Sequence, residues 1–200
     1  MIRNERNERA LKGSSKNAQK AVDAVDGEEF ASVPKDEKVA WAMAAVIHCD
    51  ICRVVVAFDE CEREGIARLL WMADIVSKLH EAKRWYLEKG GPLLRKVAPR
   101  KKCGPDYVGK RIKEIRSRHS IGDIDAYADY RNKLGYHYDR DAISYLKKFG
   151  KEDYDAFYQV LMAFSRFSGE WAQLTRFLIR NELTNETLQP RSGRDAASRG

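Results

Sequence analysis

The last third of the chain carries an apolar pattern with the period of an α-helix. From Asp153 to Arg180, large apolar residues recur at offsets of three and four over about seven turns: Phe157, Val160, Leu161, Phe164, Phe167, Trp171, Leu174 and Leu178. Such spacing brings side chains onto one face of a helix and is incompatible with a strand. A face this long and this aromatic has to be covered by other elements, so the pattern predicts a helix that packs against a core.

A second long apolar stretch predicts the most buried helix, from about Asp36 to Arg63. It is apolar almost all round, which is typical of a central helix. We do not expect a membrane span, because His48, Asp50 and Arg53 fall in its middle. Each charged residue there would cost about 2.5–3.5 kcal/mol in a bilayer.

The remaining segments also have helical spacing, and no useful stretch alternates with period two. One helix should follow Gly65 and stop at Gly90-Gly91-Pro92, before a basic connector from Leu93 to Gly104. Shorter helices are expected at 106–118, 123–135 and 141–150, with aspartates as N-caps. The sequence therefore predicts an all-α bundle.

The two ends of the chain predict less order than the middle. Residues 1–34 have few large apolar side chains, so we expect a mobile charged arm with at most a helical turn near Ala18–Val25. We expect a bundle domain at 35–183 and a disordered tail at 184–200. The charged start contains no apolar stretch typical of a secretory signal, which favours the cytoplasm and reduced cysteines.

The positive charge is concentrated in one segment. The chain has 37 Lys and Arg against 30 Asp and Glu, and residues 84–118 hold twelve of the basic side chains but only three acidic ones. Such a patch is typical of a surface that binds a polyanion, although a solvated basic surface is the alternative. The predicted nucleic-acid-binding residues are Arg95, Lys96, Arg100, Lys101, Lys102, Lys110, Arg111 and Arg116. We expect neutralisation of Lys101, Lys102, Arg111 and Arg116 to weaken RNA binding and leave the fold intact.

The pair Cys49-x-x-Cys52, next to His48, does not predict a redox or zinc site. A redox pair lies at a helix N-terminus, whereas this pair lies inside a long apolar segment. Cys61, His80 and Cys103 lack the spacing of further zinc ligands. We interpret the cysteines as core thiols and expect no metal site.

The stretch from Tyr127 to Asp141 carries the most informative polar residues. Arg131 and His137 are six apart and would diverge on a straight helix, but a helix that ends at Gly135 could turn His137 back towards Arg131. A guanidinium, the Asn132 amide and an imidazole together suit a phosphodiester. The alternative is that Arg131 pairs with a nearby aspartate, Asp129 or Asp139, and that His137 is an ordinary loop residue.

Arg131-Asn132-x4-His137, followed by Tyr138-Asp139, resembles the R-x(4–6)-H motif of the HEPN superfamily. The longer pattern Tyr130-Arg131-Asn132-Lys133-x3-His137-x-Asp139 is similar to that of superfamily members from abortive-infection and toxin–antitoxin systems. One difference is that such toxins often have H-x-Y, whereas here Asp139 is two residues after the histidine.

The resemblance implies an all-α, HEPN-like bundle of four to five helices that acts as a homodimer and cleaves RNA without a metal ion or other cofactor. Arg131, Asn132 and His137 would be catalytic, with Tyr136, Tyr138 and Asp139 in support. An antitoxin or other regulatory protein would be a further partner, and no membrane is implied. The rival hypotheses are a non-catalytic helical module that binds nucleic acid or a protein, and a plain scaffold.

Overall fold

The computed structural model describes residues 2–61, 65–135, 144, 147 and 151–180. Within these residues helices, joined by short turns, are the regular secondary structure, and there is no strand. The α-helices are α1 Ile2–Asp26, α2 Lys35–Glu60, α3 Ile66–Trp85, α4 Gly91–Val97, α5 Gly104–Arg118, α6 Ala128–Tyr130 and α7 Lys151–Arg180. The prediction of an all-α bundle is confirmed.

The core forms where α7 packs against α2 and α5, and buried side chains of α3 complete it. Phe157, Phe164 and Trp171 of α7 are fully buried, as the apolar spacing predicts. Phe58 of α2 meets Phe157 edge to face, and Tyr86 does the same with Trp171. Aromatic pairs of this geometry add to the stabilisation from buried area.

Helix α2 lies at the centre of the bundle. It contacts α1, α3, α4 and α7, and Trp41 and Phe58 are completely buried. Its length and composition alone would allow it to cross a membrane, with a mean hydropathy of 1.8, but 56% of that window is buried within the fold. A core helix has the same composition, because it too is surrounded by apolar groups.

The amino-terminal residues differ from the prediction of a mobile arm. Residues 2–26 form the continuous helix α1, which packs along α2. Its inner face consists of small residues, Ala18, Ala21 and Ala24, packed against Trp41. The pattern is weak in sequence because alanine buries little area, yet alanine favours helix formation and lets two helices approach closely.

The predicted stop at Gly90-Gly91-Pro92 is also wrong. The chain passes from α3 through a π-helical turn, Tyr86–Gly90, directly into α4. Pro92 lies in the first turn of α4, where no intrahelical N–H donor is required. Gly90 is needed because a Cβ there would lie 2.8 Å from the Trp85 ring. Much of the expected connector, from Leu93 to Gly104, is therefore helical.

Several predictions fall on the last part of the chain. Residues 123–135 form one helical run, with a 3-10 turn at Asp123–Tyr127, then α6, and a π-helical turn at Arg131–Gly135. Neither Asp106 nor Asp123 caps its helix through its side chain. The tail at 184–200 and the predicted helix at 141–150 lie outside the described residues, except for Ser144 and Lys147, which are helical.

Candidate functional site

The π-helical turn that carries Arg131 is held against α3. Leu134 of the turn is buried against Ala73 of α3, with Tyr130 beside them. Just before the turn, Tyr127 meets Phe157 of the core edge to face at 5.2 Å. These apolar anchors leave Asn132 exposed and Arg131 half-buried at the surface. Wide helical turns of this kind are frequent at functional sites.

Arg131 makes no hydrogen bond and no ion pair with any other described residue. The structure therefore does not contain the alternative ion pair between Arg131 and Asp129. A half-buried guanidinium without a carboxylate keeps its donors available for an anion.

His137, the other half of the motif, lies outside the described residues. So do Tyr136, Tyr138 and Asp139, and with them the alternative pairing of Arg131 with Asp139. Of the motif, the described residues therefore contain Arg131 and Asn132.

A second set of charged side chains lies beside Arg131 and was not predicted. His80 and Lys83 are one turn apart on α3, and both face Asp125 of the 3-10 turn. Lys83 forms an ion pair with Asp125, while His80 Nδ1 is 3.7 Å from Asp125 Oδ1. Together with Arg131, these residues form what we call the α3 charge cluster.

Neither ring nitrogen of His80 makes a hydrogen bond with a described residue. The distance from Nδ1 to Asp125 is too long for one, and Nε2 is buried without a partner. Burial lowers the pKa of His80; Asp125 raises it, and Arg131 and Lys83 lower it. The net direction is downward from 6.5, so the neutral imidazole is favoured at neutral pH.

The predicted RNA-binding residues before α5 are largely compensated by carboxylates. Lys101 pairs with Glu37, and Arg100 reaches both Asp36 and Glu37. Lys96 lies 3.5 Å from Asp36. We call these five residues the connector ion cluster. Its centre is buried, since the side chains of Glu37 and Lys101 are only 1% and 10% exposed.

This burial corrects one expectation about the basic patch. Loss of the Lys101 charge would leave the Glu37 carboxylate buried beside Arg100 alone. Lys101 is therefore a structural residue, and its neutralisation would not leave the fold intact.

Helix α5, in contrast, carries exposed basic side chains that are not balanced by described carboxylates. Val108, Ile112 and Ile115 are buried, whereas Lys110, Lys113 and Arg116 are exposed on the other side. None of these three cations pairs with a described carboxylate. We call them the α5 basic face.

The other predicted binding residues, Arg95, Lys102 and Arg111, differ in whether they are paired. Arg111 pairs with Glu114 one turn away on the same helix. Arg95 is exposed, with its guanidinium near Gly91. Lys102 is exposed and has a partner of its own. Arg111 thus adds less unbalanced charge than the sequence suggests.

Cys52 of α2 is buried, as expected for a core thiol, whereas Cys49, Cys61 and Cys103 are half-buried. The Sγ of Cys52 is 3.7 Å from His48 Nε2, and His48 Nδ1 lies 2.8 Å from Ser168 Oγ of α7. Burial raises the pKa of the Cys52 thiol, which disfavours the reactive thiolate. No three His, Cys, Asp or Glu side chains in the described part of the chain are grouped to hold a metal ion.

Comparison with known proteins adds no relative. No protein-family model matches the chain, and no curated protein or solved structure matches it either.

The sequence analysis missed His80, Lys83 and Asp125. The i, i+3 spacing of His80 and Lys83 could have shown that they share a helix face. Their carboxylate partner comes 42 residues after Lys83, and nothing in a single sequence pairs them.

Proposed function

We propose that this protein is a HEPN-type endoribonuclease that cleaves RNA without a metal ion. The observation that carries the proposal is the guanidinium of Arg131, which pairs with no described carboxylate and lies half-buried at the surface beside the exposed Asn132. Both belong to the Arg-Asn-x4-His motif, and His137 follows six residues after Arg131. The motif thus combines, on one short segment, N–H groups that can donate hydrogen bonds to an anion and a titratable imidazole.

The chemistry follows from the ionisation of these groups. Neutral His137 would take the proton of the ribose 2′-hydroxyl as the oxygen attacks phosphorus. Arg131 and Asn132 would stabilise the charge that develops on the phosphorane oxygens. The bond to the 5′-oxygen then breaks, and a protonated imidazole supplies the proton that this oxygen needs. The products are a 2′,3′-cyclic phosphate and a 5′-hydroxyl.

One motif histidine per chain cannot easily accept one proton and donate another in the same step. A twofold-symmetric dimer would bring two copies of the motif together and supply both imidazoles. The α5 basic face would attract the RNA backbone, since it carries charge that no described carboxylate balances. A cytoplasmic toxin or phage-defence effector, held inactive by an antitoxin or other regulatory protein, is the biological setting that fits this chemistry.

The test is incubation of the purified protein with single-stranded RNA, with and without EDTA. We expect cleavage that survives chelation and yields cyclic phosphate ends. His137→Ala should abolish it, and Arg131→Ala should slow it by at least about 100-fold. The matched control is Arg176→Ala, which removes an exposed arginine of α7 outside the motif and outside the α5 basic face, and should leave the rate unchanged. Cleavage that needs a divalent ion, or that persists in His137→Ala, would contradict the proposal.

The second candidate is a module that binds RNA without cutting it. The α5 basic face favours it, because that surface needs neither Arg131 nor His137 to attract a polyanion. Binding without cleavage in every condition above would support this candidate and overturn the first.

A further inference from the structure

The α3 charge cluster has more cationic side chains than its one carboxylate can balance. Lys83 and Arg131 are both positive at neutral pH, and His80 adds a third positive charge when it is protonated. Asp125 is the carboxylate that Lys83 and His80 share, since it pairs with Lys83 and faces His80. Arg131 lies close enough for its charge to act on the same imidazole. Glu81, also close to His80, forms its ion pair with Arg84.

His80 gives the second and independent observation. Its side chain is only 14% exposed, yet neither nitrogen exchanges a hydrogen bond with any residue that the structure describes. Buried polar groups are nearly always satisfied, and an orphan at a surface cluster points to a ligand that completes it. A ligand that suits an imidazolium, an ammonium and a guanidinium at once is a phosphate group.

We propose that His80, Lys83 and Arg131 form a phosphate-binding subsite for one backbone phosphate of RNA, and that Asp125 is an internal anion which competes for it. An incoming phosphate oxygen would replace the Asp125 carboxylate on Lys83 and His80, and Arg131 would hold a second oxygen. The choice of RNA rests on the proposed function, whereas phosphate binding itself does not.

The subsite makes binding depend on pH in a definite direction. A bound phosphate adds negative charge beside His80 and so raises its pKa above that of the free protein. His80 therefore takes up a proton on binding. Affinity rises as pH falls through the bound-state pKa, by at most about tenfold per pH unit, and levels off below the free-state pKa.

The experiment uses the whole chain and a fluorescent single-stranded DNA, which has no 2′-hydroxyl and cannot be cleaved by this mechanism. Anisotropy gives the affinity between pH 5.5 and 8. We expect wild-type binding to strengthen at low pH and His80→Gln to lose most of that dependence. Asp125→Asn should bind several-fold more tightly at pH 7, because the competing carboxylate is gone. The matched control is His119→Gln, since His119 pairs with Glu170 of α7 and should keep the wild-type pH profile.

A second measurement does not depend on any variant folding. The imidazole of His80 can be titrated by NMR in the wild-type protein, with and without inorganic phosphate. An upward shift of its pKa in phosphate supports the subsite, and an unchanged pKa overturns it. If RNA is not cleaved but phosphate still raises the pKa of His80, the ribonuclease proposal is contradicted and the phosphate-binding subsite is supported. If RNA is cleaved while Asp125→Asn and His80→Gln bind DNA as the wild type does, the subsite fails alone.

Discussion

Two neighbouring regions of the molecule carry similar numbers of basic residues but different surface charge. In the connector ion cluster, Lys96, Arg100 and Lys101 face two carboxylates at the start of α2. On the α5 basic face, no described carboxylate pairs with the cations. The first region consequently holds α2 to the chain after α4, and the second is available to a partner.

The difference shows what the charge of a segment does and does not predict. Residues 84–118 are strongly basic in sequence, yet part of that charge is balanced by acidic residues from outside the segment. A buried pair contributes to folding because its members have lost their water, whereas an exposed unpaired cation interacts with distant anions and salt. Mutations that remove equal charge from the two regions should therefore have different effects.

The largest effect is expected from Lys101→Met. It leaves Glu37 buried with Arg100 as its one remaining partner, and we expect a loss of about 3 kcal/mol in the free energy of unfolding. Urea unfolding at pH 7 measures this loss. The control Lys110→Met removes an exposed, unpaired lysine of the α5 basic face and should change stability by less than about 0.5 kcal/mol.

The double variant Glu37→Gln/Lys101→Met sharpens the test. It removes both buried charges, so most of the lost stability should return. Equal stabilities of Lys101→Met and Lys110→Met would show that the two regions do not differ in this way.

The parts of the fold that sequence predicts well are those with a large apolar signal. The predicted starts at Asp36 and Asp153 lie within two residues of the observed starts of α2 and α7. Helix α1 was missed because small side chains carry its packing, and the pairing of Lys101 with Glu37 was missed because the two are distant in sequence. Of the candidate site, sequence chemistry singles out Arg131 and Asn132, but the approach of His80 depends on how the turn packs on α3.

The next effect concerns binding rather than stability. Lys110→Gln/Arg116→Gln removes two unbalanced cations, and the slope of log affinity for single-stranded RNA against log salt should become shallower by about 1.4. Lys96→Gln/Arg111→Gln removes the same two residue types where carboxylates already balance them. Its slope should change by less than half as much. Titrations between 50 and 300 mM salt compare the two, and equal slopes would mean that pairing within the fold does not decide which cations meet RNA.

The smallest expected effect is the loss of stability when an exposed ion pair, rather than a buried one, is removed. Arg111 pairs with Glu114 one turn away, and both side chains are about a third exposed. Pairs of this kind contribute about 0.3 kcal/mol, because water screens the charges and two long side chains lose freedom. Arg111→Gln should therefore cost about that much in urea unfolding at 0.1 M salt, and nothing measurable at 1 M, where the Debye length falls to about 3 Å. Lys101→Met should keep most of its deficit at 1 M salt, because salt does not enter the space around Glu37. If the deficit of Lys101→Met also disappeared at 1 M, the connector ion cluster would behave as a surface pair, and its positive charges would belong with those of α5 as candidates for binding RNA.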